Sequence, residues 1–532
     1  MVTWLNSKIE TITGAAVILA GASFASKILG LVRNHVLAGA FGAGDTLDAY
    51  YAAFRIPDAI FQFIVLGALS AGFIPVFMEL VEKREDQWRV VSTIMNTLII
   101  ALGVFAAVFA LGAPYLQPLI APGFYGEKLA LTISLARIMA LSPIFLGVSA
   151  VLSGVLQSYR RFAMYALAPI LYNVGIILGA KWLVPIFGVS GLALGVVVGA
   201  LAHMAVQIPT VRAVGFRWGA WIDLKSESVR KIAWLSVPRL FGLAVTQLNA
   251  FAITILASRL ASGSLSVFNL ANDIQGVPIG LFAVSLATAA FPAFSEFAAR
   301  GDKEGLKKSL SSTARLILFL TIPVAILLLL LRAQITRVLL GSGKFDWSDT
   351  IATADTLALF SISLFAQVLN PLMVRALYAV KDTLSPTIAG ITSLLVNVGI
   401  ALWLDGRFGV AGLAFAFSVA SIVNVIMHWI VLRRRIGSIG EAEIIPALFQ
   451  ISVAGLAMAV VVQALKYLLA PHLNLHTGIG IFTQGFISGV LGLAVFLMVA
   501  LAMHSQEAHA IRNAFTKRLF RGKEARPTEI IS

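Results

Sequence analysis

The sequence predicts an all-α polytopic membrane protein, with about 14 transmembrane helices in two six-helix lobes plus two C-terminal helices. Three observations predict it. The 532 residues are 59% hydrophobic and only 12% charged, with mean hydropathy +0.91, whereas soluble chains carry roughly 25% charged residues. Apolar stretches of about 20 residues recur from end to end, the length a helix needs to cross a bilayer core of about 30 Å; barrel strands would alternate over about 10 residues instead. An internal repeat divides most of the chain in two.

The spans fall near 13–41, 46–79, 90–113, 129–157, 163–184, 188–211, 231–258, 265–295, 310–331, 351–379, 385–404, 409–432, 444–468 and 478–503. The longest must tilt, kink or protrude. Their connections alternate in charge. The second holds Lys83, Arg84 and Arg89; the fourth, Arg160 and Arg161; the sixth, Arg212, Arg217, Lys225, Arg230 and Lys231. The eighth holds Arg300, Lys303, Lys307 and Lys308, and the twelfth Arg433, Arg434 and Arg435. By contrast the first has only Asp45, and the third only Glu127 and Lys128; the ninth departs from the pattern with Arg332, Arg337 and Lys344. Excess Lys and Arg marks cytoplasmic loops. The alternation therefore implies an even span count and both termini in the cytoplasm. It also accounts for the net charge of +15 without nucleic acid. The basic tail carries apolar Ile511, Phe515, Leu519 and Phe520 between its charges, a pattern suited to lying on anionic lipid. Met1 to Thr13 is polar and lacks the basic-then-apolar order of a cleavable signal, so the first apolar segment is expected to be retained.

The repeat is explicit. Asn173-Val174-Gly175-Ile176 and Gly188-Val189-Ser190-Gly191-Leu192-Ala193 recur as Asn397-Val398-Gly399-Ile400 and Gly409-Val410-Ala411-Gly412-Leu413-Ala414, at offsets of 224 and 221. A weaker echo links Ala68–Pro75 with Ser285–Pro292. The expected domains are an N-terminal lobe 1–225, a C-terminal lobe 226–440, two additional spans within 441–505 and a basic cytoplasmic tail 506–532. The offset holds six spans, an even number, so the copies share one orientation. Transporters built from parallel repeats bind substrate between the halves and rock them against each other; a scaffold is the plainer alternative.

Charges inside spans cost about 2.5–3.5 kcal/mol on insertion scales, so they face partners or water. Lys27 and Arg33 lie in span 1; Asp48 and Arg55 lie two turns apart in span 2. Three cations in this cluster suit an anionic ligand such as a phosphate or diphosphate. The second half offers Arg239, Asn249, Asn272 and Asp273 as secondary candidates. Pro57, Pro75, Pro143, Pro238, Pro278, Pro292 and Pro371 mark places where spans can kink.

Enzyme chemistry is not indicated. Cysteines are absent, adjacent aspartates are absent, and no His-Glu-x-x-His motif occurs. The seven histidines are scattered. Gly341-Ser342-Gly343-Lys344 lacks the first glycine of a phosphate loop and is followed by Phe345, so it reads as the loop between spans 9 and 10. No catalytic residues, metal or cofactor are expected, and transport energy would come from an ion gradient or the membrane potential.

Several segments resemble one family. Ser26-Lys27-Ile28-Leu29-Gly30-Leu31-Val32-Arg33, Phe41-Gly42-Ala43-Gly44, Asp48-Ala49-Tyr50, Phe54-Arg55-Ile56-Pro57 and Gly67-Ala68-Leu69-Ser70 resemble the opening of the MurJ (MviN) lipid II flippases. Arg375-Ala376-Leu377-Tyr378-Ala379 with Asp382-Thr383-Leu384-Ser385-Pro386 resembles their segment after span 10. The resemblance implies membership of the MOP transporter superfamily and a cytoplasmic (inner) cell membrane location. It implies a lipid II flippase that carries the undecaprenyl-diphosphate-linked peptidoglycan precursor from the inner to the outer leaflet by alternating access. It further implies a cationic cavity for the diphosphate and a groove near spans 13 and 14 for the lipid tail. Membrane lipids and cell-wall synthesis enzymes are the other expected partners. Carried onto this chain, the functional positions are Lys27, Arg33, Asp48 and Arg55. Against typical members, Phe61 and Gln62 replace basic residues, Leu66 replaces an acid, and Asn272-Asp273 replaces an Asp-Arg pair. The alternatives are export of another polyprenyl-diphosphate-linked glycan, or a non-transporting scaffold for cell-wall synthesis.

Overall fold

The computed structural model describes residues 12–63, 68–83, 86–404 and 406–520, and every regular element among them is helical. The chain runs through α1 (Ile12–Phe41), α2 (Asp45–Ile60), α3 (Ala68–Lys83), α4 (Gln87–Ile120), α5 (Gly126–Met139), α6 (Ser142–Ser158), α7 (Phe162–Leu178), α8 (Ser190–Ala205), α9 (Glu227–Ser258) and α10 (Ser264–Pro278). It continues through α11 (Ser285–Ala299), α12 (Lys303–Leu330), α13 (Arg332–Leu340), α14 (Trp347–Ile362), α15 (Leu364–Ala379), α16 (Leu384–Leu404), α17 (Gly409–Ile436), α18 (Glu441–Leu469), α19 (Gly478–Ala502) and α20 (Gln506–Phe520).

Among the described residues, 10 helices are long and apolar enough to cross a membrane, or 11 if the bent pair α14–α15 is one span. Helices α1, α2 with α3, and α9 occupy the other expected positions, parts of which lie outside the described side chains. Large apolar side chains face outward along these helices: Leu111 is 79% exposed and Ile479 81%. A water-soluble surface would not carry so many. Exposed Tyr115, Trp182, Trp403 and Tyr467 sit near helix ends, where amphipathic rings anchor at the headgroups.

The interruptions have local causes. Pro185 has no N–H to continue the α-helical ladder after α7, and the chain passes through a π segment, Gly179–Leu183, just before it. A second π segment, Ile279–Val284, follows Pro278. Helices α14 and α15 meet at 50°. At that corner Ser363 Oγ donates to Ser418 Oγ at 2.9 Å, and Gln367 Nε2 donates to Ser363 Oγ at 2.9 Å. Ser418 Oγ donates to Leu359 O at 2.7 Å and Ser363 Oγ to Phe360 O at 3.3 Å, so side chains satisfy carbonyls at the bend, as they must in lipid. The ninth connection, read from sequence as a loop, contains helix α13. Its end, from Gly341 to Asp346, is the loop expected between spans 9 and 10.

Two compact units form: Met1–Ile274 with Leu339–Thr356 and Gly390–Phe417, and Gln275–Val338 with Leu357–Ala389 and Ser418–Ser532. In the first, α7 and the π segment after it pack on α8 through glycines. A Cβ on Gly175 would collide with the Gly199 backbone, and one on Gly195 would lie 2.6 Å from the Gly179 Cα. Small residues four apart let helix backbones touch where lipid supplies no hydrophobic drive. Helix α7 also packs on α1, which fixes the helix carrying Arg33. In the second unit α18 packs on α19 and on α12. The Asp382–Pro386 motif caps α16 there. Asp382 Oδ1 accepts from Ser385 N at 3.0 Å, Oδ2 accepts from Ser385 Oγ at 2.8 Å, and Arg435 pairs with Oδ2 at 3.1 Å. Burial draws the Asp382 carboxyl upward, but the Ser385 bonds and Arg435 hold it below the usual carboxylate range.

Candidate functional site

Three of the four leading candidates converge on one face of α10. Ser266, Asn269 and Asp273 stand at i, i+3 and i+7 of this helix, a single stripe by helical geometry. Asp48 meets Ser266, Arg55 meets Asn269, and Arg33 meets Asp273.

At the start of α10, Asp48 is only 2% exposed. Its Oδ1 accepts from Ser266 N at 2.8 Å and Ser266 Oγ at 2.7 Å; its Oδ2 accepts from Gly263 N at 2.8 Å. These are orphan donors of a helix N-terminus, capped by a carboxylate from another helix. Lys128 Nζ donates to Asp48 Oδ2 at 2.8 Å and bridges to Asp45 Oδ1 at 2.7 Å. Ser262 Oγ also donates to Asp45 Oδ1 at 2.7 Å. Hydrogen bonds from Lys128 and Ser262 hold the Asp45 carboxyl below its usual range. Gly263 has φ +87°, and a Cβ there would collide with Ala43 O; only glycine fits.

The same end of α1 is pinned by the loop after α13. Lys344 N donates to Gly39 O at 2.8 Å, and Ala43 N donates to Asp349 Oδ2 at 3.0 Å. His35 Nδ1 lies 2.9 Å from Leu339 O. Desolvation raises the Asp349 carboxyl above its usual range, against the lowering effect of the Ala43 N–H. Gly123 N donates to Ser258 Oγ at 3.2 Å. The first, third, seventh and ninth connections therefore form one latch.

Deeper along α10, Arg55 Nε donates to Thr254 Oγ1 at 2.7 Å and Nη2 to Asn269 Oδ1 at 2.8 Å. Both of these hydrogen-bond partners are neutral, while the Asp58 carboxylate acts on Arg55 electrostatically. Asp58 lies one turn along α2, where Gln62 and Gln247 hydrogen-bond it. Arg33 is fuller still. Nη2 and Nε donate to Asn34 Oδ1 at 2.9 and 3.1 Å, and Nη1 donates to Asn173 Oδ1 at 3.1 Å. Its Nη2 pairs with Asp273 Oδ2 at 3.4 Å, while Asn34 Nδ2 donates to the same oxygen at 2.8 Å. The side chains of Arg33 and Asp273 are 22% and 40% exposed.

Lys27 is exposed on α1 and is not gathered into this set. Asn249 accepts from Asn397 Nδ2 at 2.7 Å; Asn272 is half-buried. Arg239 lies in α9 and its side chain, like residue Leu66, falls outside the described residues. Asn34, Thr254, Asn269, Ser266 and Lys128 went unrecognised in the sequence. The signal available was the polar stripe Ser266, Asn269, Asp273 in an apolar span. A second was Asn173 and Asn397, repeat-related residues that both turn out to hold polar partners. Among the described residues no group of three or more His, Asp or Glu side chains could share a metal ion.

The family model described as lipid II flippase MurJ matches residues 37–483. Among curated relatives, a lipid II flippase MurJ of Burkholderia cenocepacia is 29% identical over 431 residues, 79% of this chain and 84% of that one. A probable lipid II flippase MurJ of Bdellovibrio bacteriovorus is 28% identical over 514 residues, 94% and 96% of the two chains. Among solved structures, lipid II flippase MurJ in an inward closed conformation superposes with TM-score 0.75 at 22% identity, covering 95% of this chain and 100% of that one. An inward-facing MATE family multidrug resistance transporter of the MOP superfamily reaches TM-score 0.64 at 16% identity, covering 80% and 99%. At these identities the structural likenesses establish the fold.

Proposed function

The chain belongs to the lipid II flippase MurJ family, and on that premise we propose that it flips lipid II between leaflets of the cytoplasmic membrane by alternating access, as a transporter without catalytic chemistry. The carrying observation is the α10 stripe, which gathers Asp48, Arg55 and Arg33 from two other apolar helices. Cations are costly in such a setting and repay that cost by meeting an anion. Arg55 donates to neutral Thr254 and Asn269, with Asp58 as a carboxylate neighbour one turn along α2, and would turn to a diphosphate when one enters. Exposed Lys27 would meet the headgroup first, and Arg33 would join once engaged.

Asp48 takes a different role. It is an interior fastening of the latch, not a ligand of the substrate. By the alternation of basic loops, the latch connections lie on the outer side of the membrane. The state described is then closed outward, and opening requires Asp48 to release the α10 N-terminus. The membrane potential, worth about 2.3 kcal/mol per charge per 100 mV, is a sufficient drive for a charged headgroup.

Complementation tests the proposal. Cells depleted of their own lipid II flippase would receive the wild type or Arg55→Gln, with membrane levels matched. Growth restored by the wild type alone is expected. Equal rescue by both removes Arg55 from substrate binding. Failure of both at full expression points to a different polyprenyl-diphosphate glycan.

A further inference from the structure

The Arg33 cluster carries information beyond the presence of a cation. Its guanidinium donates to Asn34, Asn173 and Asp273, so its strongest donors are occupied before any substrate arrives. Asp273 is itself fixed by Asn34 Nδ2 at 2.8 Å. The Asp273 Oδ2 oxygen, 3.4 Å from the guanidinium, holds the place that a phosphate oxygen would take. A diphosphate approaching Arg33 meets a like charge already seated there. By contrast the hydrogen bonds of Arg55 go to neutral Thr254 and Asn269, and the carboxylate that acts on it, Asp58, stands one turn along its own helix.

We propose that Asp273 is a resident counter-ion for Arg33, exchanged for the diphosphate of the substrate when the headgroup is bound and restored when it leaves. This deepens the flippase reading and rests on it. Asp273 is thus a positioning residue: it acts on the substrate through Arg33. Because Arg33 and Asn34 both sit on α1 and Asp273 on α10, the exchange removes one of two ties between these helices as the substrate binds and leaves the Asn34 bond to Asp273. Binding thereby loosens the contact between α1 and α10. Asp273 also limits how tightly the headgroup is held, since its return to Arg33 competes with the bound diphosphate. Ground states that are held too well slow turnover.

The test uses the full-length protein in nanodiscs, with undecaprenyl diphosphate as the binding probe and lipid II flipping in vesicles as the rate. Partly exposed ion pairs couple by about 1 kcal/mol, so Asp273→Asn is expected to bind the probe about fivefold tighter. Its flipping rate at saturation is expected to fall. A merely structural role for Asp273 would weaken both. Arg33→Gln and the double variant Arg33→Gln/Asp273→Asn are expected to bind alike, because the counter-ion has nothing left to release. Glu304→Gln, which removes one negative charge from a residue 85% exposed on α12, controls for net charge and should match the wild type. Unchanged or weaker binding by Asp273→Asn overturns the proposal. So does a gain that persists without Arg33 or appears in Glu304→Gln. Absence of binding by folded wild type and every variant overturns the flippase reading itself.

Discussion

Replacing Asp48 by Asn should open the latch. The carboxylate accepts four hydrogen bonds, from Gly263 N, Ser266 N, Ser266 Oγ and Lys128 Nζ. An amide keeps one acceptor oxygen and turns an N–H pair toward the Gly263 and Lys128 donors. Two charge-assisted bonds, each worth about 1.5–3 kcal/mol, are therefore lost, while Lys128 retains Asp45 at 2.7 Å. Allowing for relaxation, the net cost to the latched state is about 2–3 kcal/mol, which multiplies the open fraction about 30- to 150-fold. The chain has no cysteine, so a single reporter thiol is clean. Ser264→Cys is nearly isosteric at a site 6% exposed. Labelling of this reporter by a membrane-impermeant maleimide in intact cells should accelerate by at least tenfold when Asp48→Asn is added. An acceleration below twofold, with both proteins folded, would refute the argument that Asp48 fastens this end of α10.

Three further outcomes are expected. Gly175→Ala forces a methyl against the Gly199 backbone and should cost about 1–3 kcal/mol, seen as a lower temperature of aggregation in detergent; repeat-related Gly399 has open space around its Cβ position, so Gly399→Ala should be neutral. The Asp45 carboxyl, held low by Lys128 and Ser262, contributes stability above its unfolded value of about 3.9 and loses it only as pH falls through its lower folded value; labelling of the Ser264→Cys reporter should stay flat from pH 8 to about pH 5 and rise only below about pH 4. Asp382→Ala removes the α16 cap and the Arg435 partner and should cost about 1–2 kcal/mol, measured as loss of monodisperse protein after heating.

The helical membrane architecture was legible because bilayer thickness imposes its length on sequence and loop charge records sidedness. Breaks within spans were not. The turn at Ala140–Leu141 and the 50° bend at Ser363 interrupt apolar runs that read as continuous, because single serines, Ser142 and Ser363 nearby and Ser418 from another helix, satisfy the carbonyls there. The site was half legible. Arg33, Asp48 and Arg55 stood out as charges in an apolar setting. Their partners did not, since Thr254 and Asn34 gain meaning only from what approaches them, and Lys128 read as an ordinary loop charge. Lys27 was grouped with Arg33 as a second charge in span 1; six residues place the two about 120° apart on α1, and Lys27 is exposed.

One arrangement sets the character of any motion. Asp48, Arg55 and Arg33 reach α10 through a single stripe, Ser266, Asn269 and Asp273. Adjacent residues in a helix are about 100° apart, so a roll of α10 by one residue's turn carries all three partners away together. Its fastenings act in parallel, like teeth on one key. Partial release leaves the others strained and favours return. The helix should therefore behave as a binary element, engaged or disengaged, and substitutions at its three teeth should show strong non-additivity rather than independent effects.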